Sequence, residues 1–240
     1  MTTTDSPTTR PVLVETAATG GRTMPISMTI TGPIHACTSD ELEASLLPGS
    51  GLNVPFIAGT LSGFLAHERA GASLYRVAAE NSQNPTLVAK YEEFGRETVE
   101  HIAIYEQLIL DLGGDPHYVS PAARMVEQQG AKLLEGPVLL AGSVDLLTLE
   151  TAFLEAVIVA EQRCHGNWQL LARLAESLPE SARAAVRTAV ATVEPQEDKH
   201  VSWAFDTWIE LATTNADQPA AGGLIGLVEH AAQKVKDALS

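Results

Sequence analysis

From Pro55 to about Thr213, apolar residues recur every three to four positions, the period of a helix with one buried face. Four stripes can be traced. Leu61, Leu65, Ala72, Tyr75 and Ala79 form the first, and Phe94, Ile104, Leu108 and Leu112 the second. Leu147, Leu154, Ile158, Trp168 and Ala172 form the third, and Val186, Val190, Val193, Ala204, Trp208 and Leu211 the fourth. Punctuation between them sets the expected ends. The first helix is predicted over about 55–80, stopping at Asn81-Ser-Gln-Asn84. The second has Asn84 as N-cap and Pro85 in its first turn, and ends at Gly113-Gly114. Residues 115–142 make a long connection with a short helix near 121–135. The third long helix covers about 143–176, and the fourth opens at the capping-box pattern Ser177-Leu-Pro-Glu180 and runs to about 213.

The flanks read differently. Residues 1–24 are rich in Thr, Ser, Gly and Pro, with little to bury, and are expected to be disordered. Residues 25–54 read as an extended arm with an alternating piece at Ile26–Ile30 and a short helix from Ser39 to Leu47. Residues 214–240 read as a linker followed by an amphipathic C-terminal helix, Leu224 to Leu239, that docks or helps assembly. The expected domain is therefore an all-α bundle over 55–213.

Composition narrows the classes. A net charge of −15 repels nucleic acid phosphates and anionic membranes, so neither is an expected partner. No run of 18 apolar residues suggests a membrane span, and the first residues do not resemble a secretory signal. Cys37 and Cys164 are too few for a disulfide framework or a paired-cysteine metal knuckle. A cytoplasmic protein is the expectation.

The candidate chemistry lies on the stripes themselves. Glu68, Glu97 with His101, Glu161, and Glu197 with His200 each occupy positions where an apolar residue would be expected. Glu68 is 12 residues from the end of the first helix and Glu97 is 12 residues beyond Pro85. Both thus lie about 18 Å from the turn, level in an antiparallel pair. Glu161 and Glu197 sit 16 and 17 residues from the second turn, which levels them in the same way. Four carboxylates confined together cannot all stay ionised, whereas two divalent cations would neutralise them. Carboxylate and imidazole donors suit iron or manganese better than thiolate-seeking metals.

On these residues the chain resembles the ferritin-like superfamily of di-iron and di-manganese carboxylate proteins. Their pattern is a Glu from each of two helices and Glu-x-x-His from each of two others. Rubrerythrins and small bacterial ferritin-like stress proteins look nearest. Glu68 and Glu161 match the lone acids, and Glu197 with His200 matches the full motif. The resemblance implies an antiparallel four-helix bundle with a long crossover between its hairpins and two iron ions, or two manganese ions, as cofactor. The second helix departs from the pattern, because three residues before His101 stands Thr98. Either Glu97 and His101 serve at four-residue spacing, or Glu97 and Glu100 supply two carboxylates with His101 behind them. His165, four residues after Glu161, is a further candidate ligand or supporting donor.

Other polar residues have plainer expectations. His67 should point away from Glu68 and be exposed, and Glu150 and Glu155 should lie at the surface. His35, His117 and His230 belong to no constellation. Tyr75, Tyr91 and Tyr105 read as packing, Trp168, Trp203 and Trp208 as core or interface, and Cys164 as a buried inert thiol. Pro195 should kink the fourth helix and help aim Glu197. Three functions follow as expectations: an oxidoreductase activating dioxygen or peroxide with a separate reductant or small-molecule substrate, an iron-oxidation or storage protein, or a metal-free helical scaffold. Exposed helix faces suggest a homo-oligomer.

Overall fold

The computed structural model describes residues 39–217, which form six helices and no strand. They are α1 (Ser39–Ser45), α2 (Val54–Asn81), α3 (Pro85–Asp111), α4 (Pro121–Leu140), α5 (Leu146–Ala175) and α6 (Glu180–Ala216). Residues 1–38 and 218–240 lie outside the described part, and with them the expectations for the N-terminal segment, much of the arm, Cys37, His35, His230 and the C-terminal helix.

Local chemistry explains most boundaries. Asn53 and Asn84 each accept a backbone N–H in the first turn of α2 and α3, with proline just inside. Ser120 caps α4 and Asp145 caps α5 in the same manner. At α6 the expected capping box does not form: the helix begins at Glu180, preceded by Pro179, and no side chain caps it. Gly113 ends α3 at φ 84°, and a Cβ there would meet the carbonyl oxygen of Ser45 at 2.3 Å. The crossover helix is longer than expected, running to Leu140 with Pro137 inside it, and α6 continues three residues past Thr213. Pro195 is accommodated within an unbroken α6.

The four long helices close a ring in which α2 packs on α3 and α5, and α6 packs on α5 and α3. Contacts give the direction of each pair. Phe64 meets Tyr105 while Tyr75 meets Phe94, so α2 and α3 are antiparallel. Asn215 meets Thr148 while His200 meets Glu161, so α5 and α6 are antiparallel. The fourth side of the ring, α3 against α6, joins Glu97 to His200 and His101 to Gln196. α4 lies along α2 and α5 outside this ring. Two apolar clusters fill the interior, one around Leu61, Leu65, Tyr105, Trp168 and Val190, the other around Tyr75, Tyr91, Phe94, Phe153 and Val157. Between the two clusters run the polar residues discussed below. Among the described residues no helix is long and apolar enough to cross a membrane.

One buried polar group corrects a sequence expectation. Glu150 is 6% exposed rather than superficial. Its Oε1 accepts from Ser82 Oγ at 2.6 Å and from the backbone N–H of Gln83 at 3.1 Å and Asn84 at 3.4 Å. The acid on α5 thus ties the α2–α3 link to the second helical pair through three hydrogen bonds. Its position away from the apolar stripe gave no hint of this, because the partners lie 66–68 residues away. Gly130 of α4 lets that helix approach α2 so closely that a Cβ would lie 2.5 Å from Ala70 Cβ.

Glu150→Ala should lower stability by about 1–3 kcal/mol, since it removes a buried carboxyl that holds the link by three hydrogen bonds, as measured by urea unfolding. Gly130→Ala should also destabilise, by about 1–3 kcal/mol for an overpacked contact. The sign is diagnostic, since glycine to alanine inside an unobstructed helix gains about 1 kcal/mol.

Candidate metal centre

Each long helix of the ring turns at least one ionisable group into the space between the two apolar clusters. Glu68 from α2, His101 from α3, Glu161 from α5, and Glu197 and His200 from α6 are at most 2% exposed. Helical spacing accounts for this. Glu197 and His200 are one turn apart on the face that also buries Val190, Val193 and Ala204. His101 lies on the line of Phe94, Thr98 and Tyr105.

These five residues form two triplets that share one member. Ligand atoms of Glu68, His101 and Glu197 lie within 4.8 Å of one another, and so do those of Glu161, Glu197 and His200. His101 Nδ1 is 2.9 Å from Glu197 Oε1 and 3.8 Å from Glu68 Oε2. His200 Nδ1 is 3.3 Å from Glu161 Oε2. The two imidazole rings are stacked with centroids 5.9 Å apart.

Outer partners set which nitrogen faces inward. His200 Nε2–H donates to Glu97 Oε2 at 2.6 Å, and His101 Nε2–H donates to Gln196 Oε1 at 2.7 Å. With Nε2 committed outward, each ring presents Nδ1 to the centre. The two contacts cross: Glu97 stands four residues before His101 yet holds His200, and Gln196 stands four before His200 yet holds His101. Trp168 Nε1–H donates to Glu68 Oε1 at 3.1 Å, leaving Oε2 for the interior. The Phe94 ring lies 4.2 Å from that of His200, and Tyr105 stacks on Trp168 at 4.1 Å.

The expected ligands are therefore divided by the structure. Glu68, His101, Glu161, Glu197 and His200 converge. Glu97 belongs to neither triplet. It sits on the outer side of His200 with its side chain 20% exposed, and its Oε1 also accepts from Lys199 Nζ at 3.2 Å. The levelling of Glu68 with Glu97 is off by about one turn, because Gly71 faces Thr98 across the pair. The link 82–84 runs on past the end of α2 before α3 turns back, so His101 comes level with Glu68. Thr98, in the place of the absent carboxylate, is buried with its hydroxyl donating to Phe94 O. Glu100 is exposed, which removes it from the interior. His165 is half-buried on the outer side of α5, 3.2 Å from Asp198 and bonded to Gln169.

His67, expected to be exposed, is 3% exposed, with Nε2–H donating to Ala160 O at 2.9 Å. The helical angle does separate it from Glu68, but α4 and α5 cover the face to which it turns. Gln196 and Trp168 were missed as partners of the centre. For Gln196 the signal was available in its position just before Glu197, mirroring Glu97 before Thr98.

Electrostatics reflect the crowding. Burial acts to lower the His101 pKa, but the close carboxylates of Glu197 and Glu68 outweigh it and raise it to about 10. Burial pushes Glu197 up to about 9, with Glu161 and Glu68 adding to the rise and His101 opposing it. Burial favours the neutral form of Glu161 as well, yet the adjacent His200 ring and Tyr75 hydroxyl leave its pKa below the ordinary value. Burial raises Tyr75, Tyr105 and Cys164 well above their usual values, so all three are neutral at physiological pH.

The donor set can be tested against a pair of divalent cations. Glu68 Oε2, Glu161 Oε2, Glu197 Oε2 and both inward Nδ1 atoms are buried and make no aligned hydrogen bond among the described residues. Five such orphans in two adjacent groups are the atoms that two oxygen- and nitrogen-ligated ions would satisfy. The residues fit. Comparison of the chain with protein-family models, curated proteins and solved structures finds no match.

The pKa shifts predict a pH dependence for metal-free protein. Glu197 and His101 both hold protons more tightly folded than unfolded. Folded protein therefore binds more protons than unfolded protein, from pH 4.5 to about 9 for Glu197 and from 6.5 to about 10 for His101. Stability falls as pH rises through those windows. The thermal midpoint of chelator-treated protein should drop between pH 6 and pH 9, and Glu197→Gln, which cannot titrate there, should flatten that slope.

Proposed function

We propose that the chain is a ferritin-like dinuclear metal protein and an oxidoreductase that activates dioxygen or peroxide. The observation that carries this reading is the shared Glu197: two triplets of unsatisfied, buried ligand atoms meeting at one carboxylate. Isolated acids in a helical core are not arranged in this way by packing alone, since each unsatisfied buried charge is destabilising. The ring of two antiparallel pairs and a long crossover is consistent with the ferritin-like arrangement.

One position would be held by Glu68, His101 and Glu197, the other by Glu161, His200 and Glu197. A bound iron or manganese pair would supply one-electron redox chemistry and two adjacent Lewis-acid positions. The protein's contribution is preorganisation. Glu97 and Gln196 fix the two rings, Trp168 fixes Glu68, and Phe94, Tyr105 and Trp168 exclude water from the centre. Glu97, with its carboxylate on His200 Nε2–H, holds that imidazole with Nδ1 turned to the centre. Three inward carboxylates bring −3 against +4, so the centre has room in its charge balance for one small anion. That residual positive charge favours a reactive site over a closed structural one. Iron storage would in addition require a multi-subunit shell.

Metal analysis of freshly purified or ferrous-reconstituted protein should give two ions per chain. Glu197→Ala, which removes the shared ligand, should lose at least one equivalent and weaken the other. A variant that retains both ions at wild-type affinity would remove Glu197 as the shared ligand and with it the assignment of α6. Consumption of peroxide against oxidation of ferrous iron, measured on the same preparation, then divides oxidoreductase from iron-handling protein, and the mass in solution tests for a shell.

A further inference from the structure

On the outer side of the helix turns that carry Glu68 and Glu161, a cleft of about 620 Å³ opens between α2, α4 and α5. Its volume is in the range of small-molecule sites, about 300–1,000 Å³. The wall nearest the metal centre is His67, one residue before Glu68, whose bond to Ala160 O ties α2 to α5. Leu133 of α4 and Val159 of α5 give the cleft an apolar side.

Arg163, two residues after Glu161, gives it a charged one. The guanidinium donates to the neutral amide oxygen of Gln129 across the cleft mouth, and among the described residues no carboxylate pairs with it. In a chain with 30 acidic against 15 basic residues this is informative. The other cation of the cleft, Lys132, is already paired with Glu135. An arginine half-buried beside apolar wall, with donors to spare and no acid, is shaped for an external carboxylate, which its planar fork binds through two parallel hydrogen bonds.

We propose that this cleft binds a small organic carboxylate with a short apolar tail, the carboxylate on Arg163 and the tail along Leu133 and Val159. Such a molecule would lie about one helix diameter, ~10 Å, from the centre. Its role as substrate or effector of that centre rests on the dinuclear reading above, whereas the binding itself does not.

Calorimetric titration of chelator-treated full-length protein with sodium hexanoate tests the site, with 1-hexanol as the uncharged control. One saturable site is expected for hexanoate, with hexanol at least tenfold weaker. Arg163→Gln should weaken hexanoate at least tenfold, and Arg163→Lys should restore part of the loss. Leu133→Trp, which fills the cleft while keeping the guanidinium, should also abolish binding and guards against a folding defect at Arg163. Absence of saturation, equal affinity for hexanol, or wild-type affinity in Arg163→Gln would overturn the assignment. Glu197→Ala separates the two claims: hexanoate binding should survive it while metal is lost. Two metals with no Arg163-dependent binding removes the cleft alone, and Arg163-dependent binding with no metal removes the dinuclear centre alone.

Discussion

Neutralising charge in a dry interior is the constraint around which this bundle is organised. Three carboxylates and two imidazoles are shut between apolar clusters, where each ionised group without a partner is strongly disfavoured. Without metal, the protein has one partial solution, protons held on Glu197 and His101 far above their ordinary range. That solution leaves oxygen and nitrogen atoms facing each other without aligned hydrogen bonds. On the proposed reading, cations would satisfy the same atoms and displace the same protons, so proton occupancy and metal occupancy would be competing answers to one electrostatic problem.

The rest of the fold keeps these groups from escaping to water. Glu68 is pinned by Trp168, and both rings are pinned by polar residues at the bundle surface. Glu97 in turn is held by Lys199, which also binds Glu93 at 2.6 Å. The inner groups are thus oriented by a second layer that can reach solvent, and this lowers the penalty of charging the layer itself. The α2–α3 link depends on a carboxylate from α5, so the geometry of the first helical pair is set partly by the second.

The helices and much of the centre were legible in the chain because both rest on local periodicity. Asn84-Pro85 and Gly113-Gly114 mark the ends of α3 by backbone chemistry that needs no distant partner. Glu197 and His200 share a face by spacing alone. What depended on the path of a link was not legible: a few residues of overshoot at 82–84 brought His101, rather than Glu97, level with Glu68. Coverage by other helices was equally hidden. His67 and Glu150 were expected in water because nothing in their own helices shows that α4 and α5, or the 82–84 link, would lie over them.

The exchange of outer contacts between α3 and α6 has a consequence for the order of assembly. The α2–α3 and α5–α6 pairs are joined by short links and can form early, but Glu97 and His200 are 103 residues apart. Neither ring can adopt its final tautomer until the two hairpins have docked. A half-folded chain therefore offers scattered carboxylates and imidazoles and no template, so cation uptake by the proposed centre would come late and would report completed tertiary structure.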